Sequence, residues 1–277
     1  TPMPHQLQAL DFLLSHSRPI LQAAPGTGNS LISLAAIYHT LTQHNPVLYI
    51  SSKLSCDNFK HEIRKWFPNL RFFEPRGLDF DSVPPLTITL LSIEFLPPAH
   101  SHDLSSRSPP FPLGLFHTVV VDECHLFNNP NTKAFSRIHS LTHDVDTIWL
   151  LSGTPATNKD ADLSALSKLL RIPRTNLPIL HIPKSVLHLP SVTNHTLHFP
   201  AQPISDPPTH HLALMSKQSL ASESNPLKLS FLSTLLSKFP DQKFIVFCSF
   251  HAVLNTLQAS ISNRPVFVIS GKVHDKV

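Results

Sequence analysis

Cysteine, glycine and charge are all scarce in this chain, and each shortage excludes a class of protein. Only three cysteines occur in 277 residues, Cys56, Cys124 and Cys248. They are too widely spaced for a metal-type pair and too few for a disulfide framework, which points to a reduced, intracellular setting. No apolar run approaches the roughly 18 residues of a membrane span. The N-terminus has no basic stretch followed by an apolar one, as a secretory leader would. Charged residues make up 14%, against about 25% in ordinary soluble domains. The 22 Lys+Arg and 18 Asp+Glu give a net charge of +4 and a pI near 9.0. That balance is compatible with a polyanionic partner without establishing one.

Histidine and proline are plentiful, at 19 and 27 residues. The single His-x-x-x-His pair, His139 and His143, lacks the glutamate that follows the first histidine of a zinc-protease helix. His210-His211 falls in a polar linker, so histidine metal ligation is not expected. Ser152-Gly153 has no nucleophile-elbow context, which argues against a serine hydrolase. At 41% hydrophobic residues the chain can bury a core, and its length suits one full domain plus part of another.

Short apolar stretches alternate with helical patterns, the sign of a parallel sheet covered by helices on both faces. Strands are expected at Ile20–Ala24, Pro46–Ser51, Leu86–Leu91, Thr118–Asp122, Thr147–Leu151, Phe244–Cys248 and Val266–Ile269. The run Thr118-Val119-Val120-Val121 reads as a strand buried on both faces. A helix over Ser30–Leu41 would direct Leu31, Leu34, Ala35 and Tyr38 to one side. Another, Asp57–Trp66, would bury Phe59, Ile63 and Trp66, and Trp66 and Trp149 both read as core. Pro97–Pro112 reads as a surface loop or insertion. Ile182–Pro208 is proline-rich, and Ser205–Asn225 looks weakly ordered. A helix at Pro226–Lys238 then leads into a second strand–helix–strand unit, Phe244–Ile269.

Ala24-Pro25-Gly26-Thr27-Gly28-Asn29-Ser30 joins a strand to a helix. Glycines there let the backbone wrap phosphates, and the helix N-terminus adds partial positive charge. A Walker A loop reads Gly-Lys-Ser where this chain reads Gly-Asn-Ser. Ser30 could still ligate magnesium, but the lysine that neutralises the β- and γ-phosphates is absent. Taken alone, the loop reads equally as an ordinary glycine-rich turn. Asp122-Glu123-Cys124-His125 follows the buried valine strand, placing two carboxylates at the carboxyl end of a parallel strand, where such folds bind ligands. In a P-loop ATPase the first would hold magnesium and the second would orient the attacking water.

In this order the motifs resemble the Swi/Snf branch of superfamily-two helicases. Asp122-Glu123-Cys124-His125 is similar to the Asp-Glu-Ala-His box. Leu151-Ser152-Gly153-Thr154-Pro155 with Asn158 resembles motif III of that branch, and is the most discriminating match. Pro4-His5-Gln6 with Leu10-Asp11-Phe12-Leu13 resembles the segment whose glutamine recognises adenine. Leu48–Ser52, with Asn58-Phe59-Lys60 and Lys65-Trp66-Phe67-Pro68 after it, looks like motif Ia and its helix. Thr89–Glu94 is similar to motif Ib, Lys184 with Leu189-Pro190 to the close of the first lobe, and Phe244–Phe250 to motif IV of the second. Of six glycines, Gly26, Gly28, Gly153 and Gly271 all fall at motif positions.

The resemblance implies a RecA-like α/β lobe over 1–200, a linker over 201–225 and the start of a second such lobe over 226–277. It implies ATP and Mg2+ as cofactors. Gln6, Gly26, Thr27, Gly28, Asn29 and Ser30 would bind the nucleotide, Ser30 and Asp122 the metal. Asp122 and Glu123 would be catalytic, and Ser152, Gly153 and Thr154 would couple the two lobes. Ser52, Lys53 and Ser92 would contact DNA, expected to be duplex and bound without sequence preference. A nuclear location and no membrane association are implied. Thr1 in place of an initiator Met, and an end at Val277 before motifs V and VI, suggest a fragment. Two functions stand side by side: a DNA translocase with a damaged ATP site, and a non-catalytic descendant that binds nucleic acid or protein as a scaffold. A P-loop nucleotide kinase would leave motifs III and IV unexplained.

Overall fold

The computed structural model describes residues 2–41, 45–75, 83–96, 115–153, 160–187, 189, 193, 195–200, 224–261 and 265–268. The chain divides into two units, Thr1–Pro190 and Ser191–Val277.

In the first unit the strands are β1 (Ile20–Ala23), β2 (Val47–Ser51), β3 (Arg71–Phe73), β4 (Thr87–Ser92), β5 (Thr118–Val121), β6 (Thr147–Ser152) and β7 (Ile179–Ile182). They form one sheet in the order β3-β4-β2-β5-β6-β1-β7, and each pairing is parallel. The helices are α1 (Pro4–Ser15), α2 (Asn29–Thr40), α3 (Lys53–Trp66), α4 (Lys133–Leu141) and α5 (Asp160–Leu170). Central strands β2, β4 and β5 are buried along their whole length. The edge strands β3 and β7 are partly exposed. Helices covering both faces require continuous apolar runs in the middle of the sheet and relax that demand at its margins.

Alternation along each strand sorts the core into two layers. Ile20, Ile50, Val121 and Leu150 pack with Phe135 and Ile138 of α4 and Leu166 and Leu169 of α5. Their neighbours Leu21, Tyr49, Val120 and Trp149 face the other way, onto Leu13 of α1, Ile37 of α2 and Phe59 and Ile63 of α3. Trp149, 1% exposed, is core as its sequence context indicates.

Five expected strands are present, each within a residue at either end. β3 and β7 escaped the sequence reading, being edge strands of three and four residues. Two expected faces are corrected. On α2 the buried residues are Ile32, Ser33, Leu34, Ala36 and Ile37, while Tyr38 is exposed. That helix is apolar nearly all round, so periodicity could not choose its inward side. On α3, Phe59 and Ile63 are buried, but Trp66 is 48% exposed. Helical spacing sets a direction around the axis, not whether another element lies beneath the last turn.

In the second unit, α6 (Pro226–Lys238) and α7 (His251–Ser260) form as helices. The expected strands at Phe244–Cys248 and Val266–Ile269 are not strands among the described residues; Ile269 lies outside them. Ile245, Phe247 and Phe267 are 83%, 91% and 85% exposed. Two strand-length segments do not hold a sheet by themselves, since about three strands with a covered apolar face are needed. The expected loop at Pro97–Pro112 and most of the weakly ordered stretch Ser205–Asn225 lie outside the described residues. No helix among the described residues is long and apolar enough to cross a membrane.

Candidate nucleotide-binding site

Strands β5, β6 and β1 are adjacent and parallel, with Val121 paired to Leu150 and Leu150 to Ile20. Their carboxyl ends lie side by side, so segments about 30 and 100 residues apart in sequence meet along one edge.

After β1 the chain turns through Pro25–Gly28. Gly26 and Gly28 have φ of +89° and +96°, a region open to glycine with little cost. At Gly28 there is a second constraint: an added Cβ would lie 2.4 Å from Gln6 Nε2. The Gln6 carboxamide clasps this turn, donating from Nε2 to the Thr27 carbonyl at 3.1 Å and accepting from the Met3 N–H at 2.9 Å. His5 Nε2 is also 3.0 Å from the Thr27 carbonyl. Thr27 itself is fully buried, its hydroxyl donating to Ala24 O at 2.7 Å.

Asn29, the first residue of α2, turns inward. Its Nδ2 donates to the Ala23 carbonyl at 2.9 Å, and its Oδ1 is buried without a partner among the described residues. The side chain at the lysine position therefore ties the loop to the end of β1.

After β5, Asp122 is held on both oxygens. Tyr49, fully buried in β2 and stacked on Phe59 with ring centres 3.9 Å apart, donates its hydroxyl to Oδ2 at 2.6 Å. The Glu123 N–H donates to Oδ1 at 2.9 Å. Burial raises the pKa of Asp122 above the usual carboxylate value, with the charge of Glu123 adding to it. The two hydrogen bonds and His125 oppose that rise. Burial, together with the same carboxylate, pushes the Tyr49 phenol well above its ordinary range. Glu123 sits at φ +54°, a left-handed conformation that costs a non-glycine residue roughly 1–2 kcal/mol. Its Oε2 lies 3.1 Å from His125 Nδ1, which is also 3.1 Å from Ser152 Oγ at the end of β6. One imidazole nitrogen thereby links the ends of β5 and β6.

These segments line a single cavity of about 520 Å3. Its walls are Gln6, Pro25, Gly26, Gly28, Asn29, Ser30 and Leu31, with Glu62, Trp66, Glu123 and Gly153. The structure thus brings together most residues expected to bind nucleotide, plus Glu123 and Gly153. Thr27 and Asp122 stand behind that surface, and Thr154 lies outside the described residues. Glu62 and Trp66 were missed, although their i, i+4 spacing on α3 is visible in the sequence. Tyr49 was missed because nothing in a buried strand announces which carboxylate its hydroxyl will meet.

Ser52, Lys53 and Ser92 occupy a different part of the edge, where β2 and β4 end in register at Ser51 and Ser92. Ser52 caps α3, its Oγ accepting from the Ser55 N–H at 3.2 Å. Ser92 Oγ is buried without a partner among the described residues, and Lys53 is exposed. Lys60 is not the free cation that a basic α3 face suggests: its ammonium pairs with Asp57 at 2.5 Å and Glu74 at 2.8 Å. Among the described residues no cluster of three or more His, Cys, Asp or Glu could hold a metal ion.

A parallel sheet with such an edge defines the class, a P-loop nucleotide-binding lobe of the RecA type. Residues 5–176 match the SNF2-related domain, and the chain belongs to that family of helicase-like ATPases. Solved structures resemble it more distantly. The Sulfolobus solfataricus SWI2/SNF2 ATPase core in complex with dsDNA is 22% identical, with a TM-score of 0.48, covering 61% of this chain and 35% of that one. The UvsW helicase from bacteriophage T4 is 18% identical, with a TM-score of 0.48, covering 65% and 60%. The Sulfolobus solfataricus SWI2/SNF2 ATPase core domain is 23% identical, with a TM-score of 0.46, covering 61% and 35%. The chain spans 35–60% of the length of these proteins. No curated protein sequence matches it.

Proposed function

We propose that the chain is the nucleotide-binding lobe of a DNA-dependent, helicase-like ATPase that binds Mg·ATP weakly and hydrolyses it slowly. The observation that carries this reading is the convergence of Gly26–Ser30, Glu123 and Gly153 on one cavity with no lysine or arginine among the described residues lining it. Phosphates there would rest on backbone N–H groups and the α2 N-terminus. The carboxylate and hydroxyl oxygens suit magnesium, a hard cation with oxygen ligands. Ser30 would hold it directly and Asp122, behind the cavity surface, through water, and bound metal would supply the positive charge the side chains lack. Tyr49 holds Asp122 by its hydroxyl, and Glu123 would orient a water. Lys53, beside the ends of β2 and β4, is assigned to DNA phosphates.

The second reading is a nucleic-acid- or protein-binding scaffold without turnover, and Asn29 favours it. Removing one preorganised positive charge from a transferring phosphoryl group costs on the order of 10²–10³ in rate. Phosphate release with and without duplex DNA separates the two. Slow release, stimulated by DNA and lost in Glu123→Gln, supports the ATPase. Release at background with and without DNA supports the scaffold. Fast turnover by the unaltered chain would show that another residue supplies the missing charge.

A further inference from the structure

The phosphate end of the cavity is accounted for by the glycine-rich loop, but its outer wall is not. We infer that Trp66 and Glu62 form a platform for the purine base of the bound nucleotide, with Trp66 stacking on the ring and Glu62 accepting its exocyclic amine. This rests on the nucleotide-binding reading above and adds a base-recognition element to the same site.

Three observations lead there. Trp66 is 48% exposed, uncommon for the largest apolar side chain, yet it borders the same cavity as Gly28, Ser30 and Glu123. The indole is also oriented: its Nε1 donates to Glu62 Oε2 at 2.7 Å, one helical turn back on α3. The Lys65 ammonium lies over one face of the ring, 4.8 Å from its centre, so a planar partner would stack on the other. A ring held by a hydrogen bond at its edge and a cation on one face has little rotational freedom to lose on stacking, which favours binding.

Glu62 contributes direction. One carboxylate oxygen takes the indole N–H, and the other keeps lone pairs for a donor on the cavity side. Adenine offers one in its 6-amino group, whereas hypoxanthine presents a 6-oxo group that a carboxylate repels. The Gln6 amide gives one N–H to Thr27 and takes one from Met3, so Glu62 would act beside it rather than in its place.

The test uses the whole chain and its own fluorophores. Trp149 is buried and Trp66 exposed, so quenching by a base reports chiefly on Trp66. Mg·ATP, Mg·ITP and Mg·tripolyphosphate are titrated by tryptophan emission and by equilibrium dialysis. Base–aromatic stacking of this kind predicts about a tenfold loss of ATP affinity in Trp66→Leu, with tripolyphosphate binding unchanged. Trp66→Phe should retain affinity within about threefold, since a smaller ring still stacks. ATP should bind about tenfold tighter than ITP, and Glu62→Gln should narrow that gap. If Trp66→Leu binds ATP as well as the parent does, the platform is refuted while the phosphate site stands. If ITP matches ATP in the parent, the role of Glu62 is refuted. If neither ATP nor tripolyphosphate binds, the nucleotide site and the platform fall together.

Discussion

Replacing Asn29 tests whether this P-loop is weakened for the reason the structure gives. The Asn29 amide spends its donor on the Ala23 carbonyl at 2.9 Å and leaves Oδ1 buried without a partner among the described residues. In Asn29→Ala one hydrogen bond worth about 1 kcal/mol is lost, while the removal of a buried unsatisfied oxygen returns about 1–3 kcal/mol. Stability should therefore stay level or rise by up to about 2 kcal/mol, and ATP affinity should not change, because the amide donor is committed to the Ala23 carbonyl. Asn29→Lys brings a cation into a cavity walled by the carboxylates of Glu62 and Glu123. A charge-assisted hydrogen bond to phosphate is worth about 1.5–3 kcal/mol, so Mg·ATP affinity should rise about ten- to a hundredfold. Equilibrium titration of both variants with a fluorescent ATP analogue, alongside urea melts, reads these quantities. A tenfold weakening in Asn29→Ala would refute the reasoning, since the amide would then be reaching the nucleotide. So would submicromolar affinity in the parent that Asn29→Lys leaves unaltered.

Gly28→Ala adds left-handed strain of roughly 1–2 kcal/mol and displaces the Gln6 amide, costing about 1 kcal/mol more; an unchanged thermal midpoint would contradict the clasp. Burial raises the pKa of Asp122, so the native state keeps a proton at pH values where the unfolded chain has released it. The stability from this group is therefore present below the ordinary carboxylate value and falls as pH climbs through the raised one. Asp122→Asn should then melt higher at neutral pH, by on the order of 1 kcal/mol, with the gain vanishing in acid; urea melts at both ends of the range decide it, and a lower midpoint at neutral pH would count against it. Lys53→Glu should weaken DNA binding across all sequences and lower the salt slope by about 1. Lys60→Glu should instead cost stability through its two carboxylate pairs, and equal effects of the two reversals in anisotropy titrations would undo that division.

The sequence alone determined the alternation of strands and helices, the buried valine strand before Asp122 and the order of the motifs. Each is a local property: alternation and run length follow from side-chain period, and a glycine-rich turn follows from backbone freedom. The glycines at 26 and 28 and the acidic pair at 122 and 123 were legible for that reason. Tertiary structure decided which of these groups share a surface. Strand order set β6 between β5 and β1, which brought Glu123 and Gly153 to the same cavity as Gly28. Burial then separated residues that the motif treats alike, leaving Glu123 on the cavity wall and Asp122 behind it under the Tyr49 hydroxyl. The direction of Asn29, the pairing of Lys60 and the exposure of Trp66 were equally out of reach of sequence pattern. Each depends on what lies beside a side chain in space, a non-local quantity that spacing along one helix or strand does not contain.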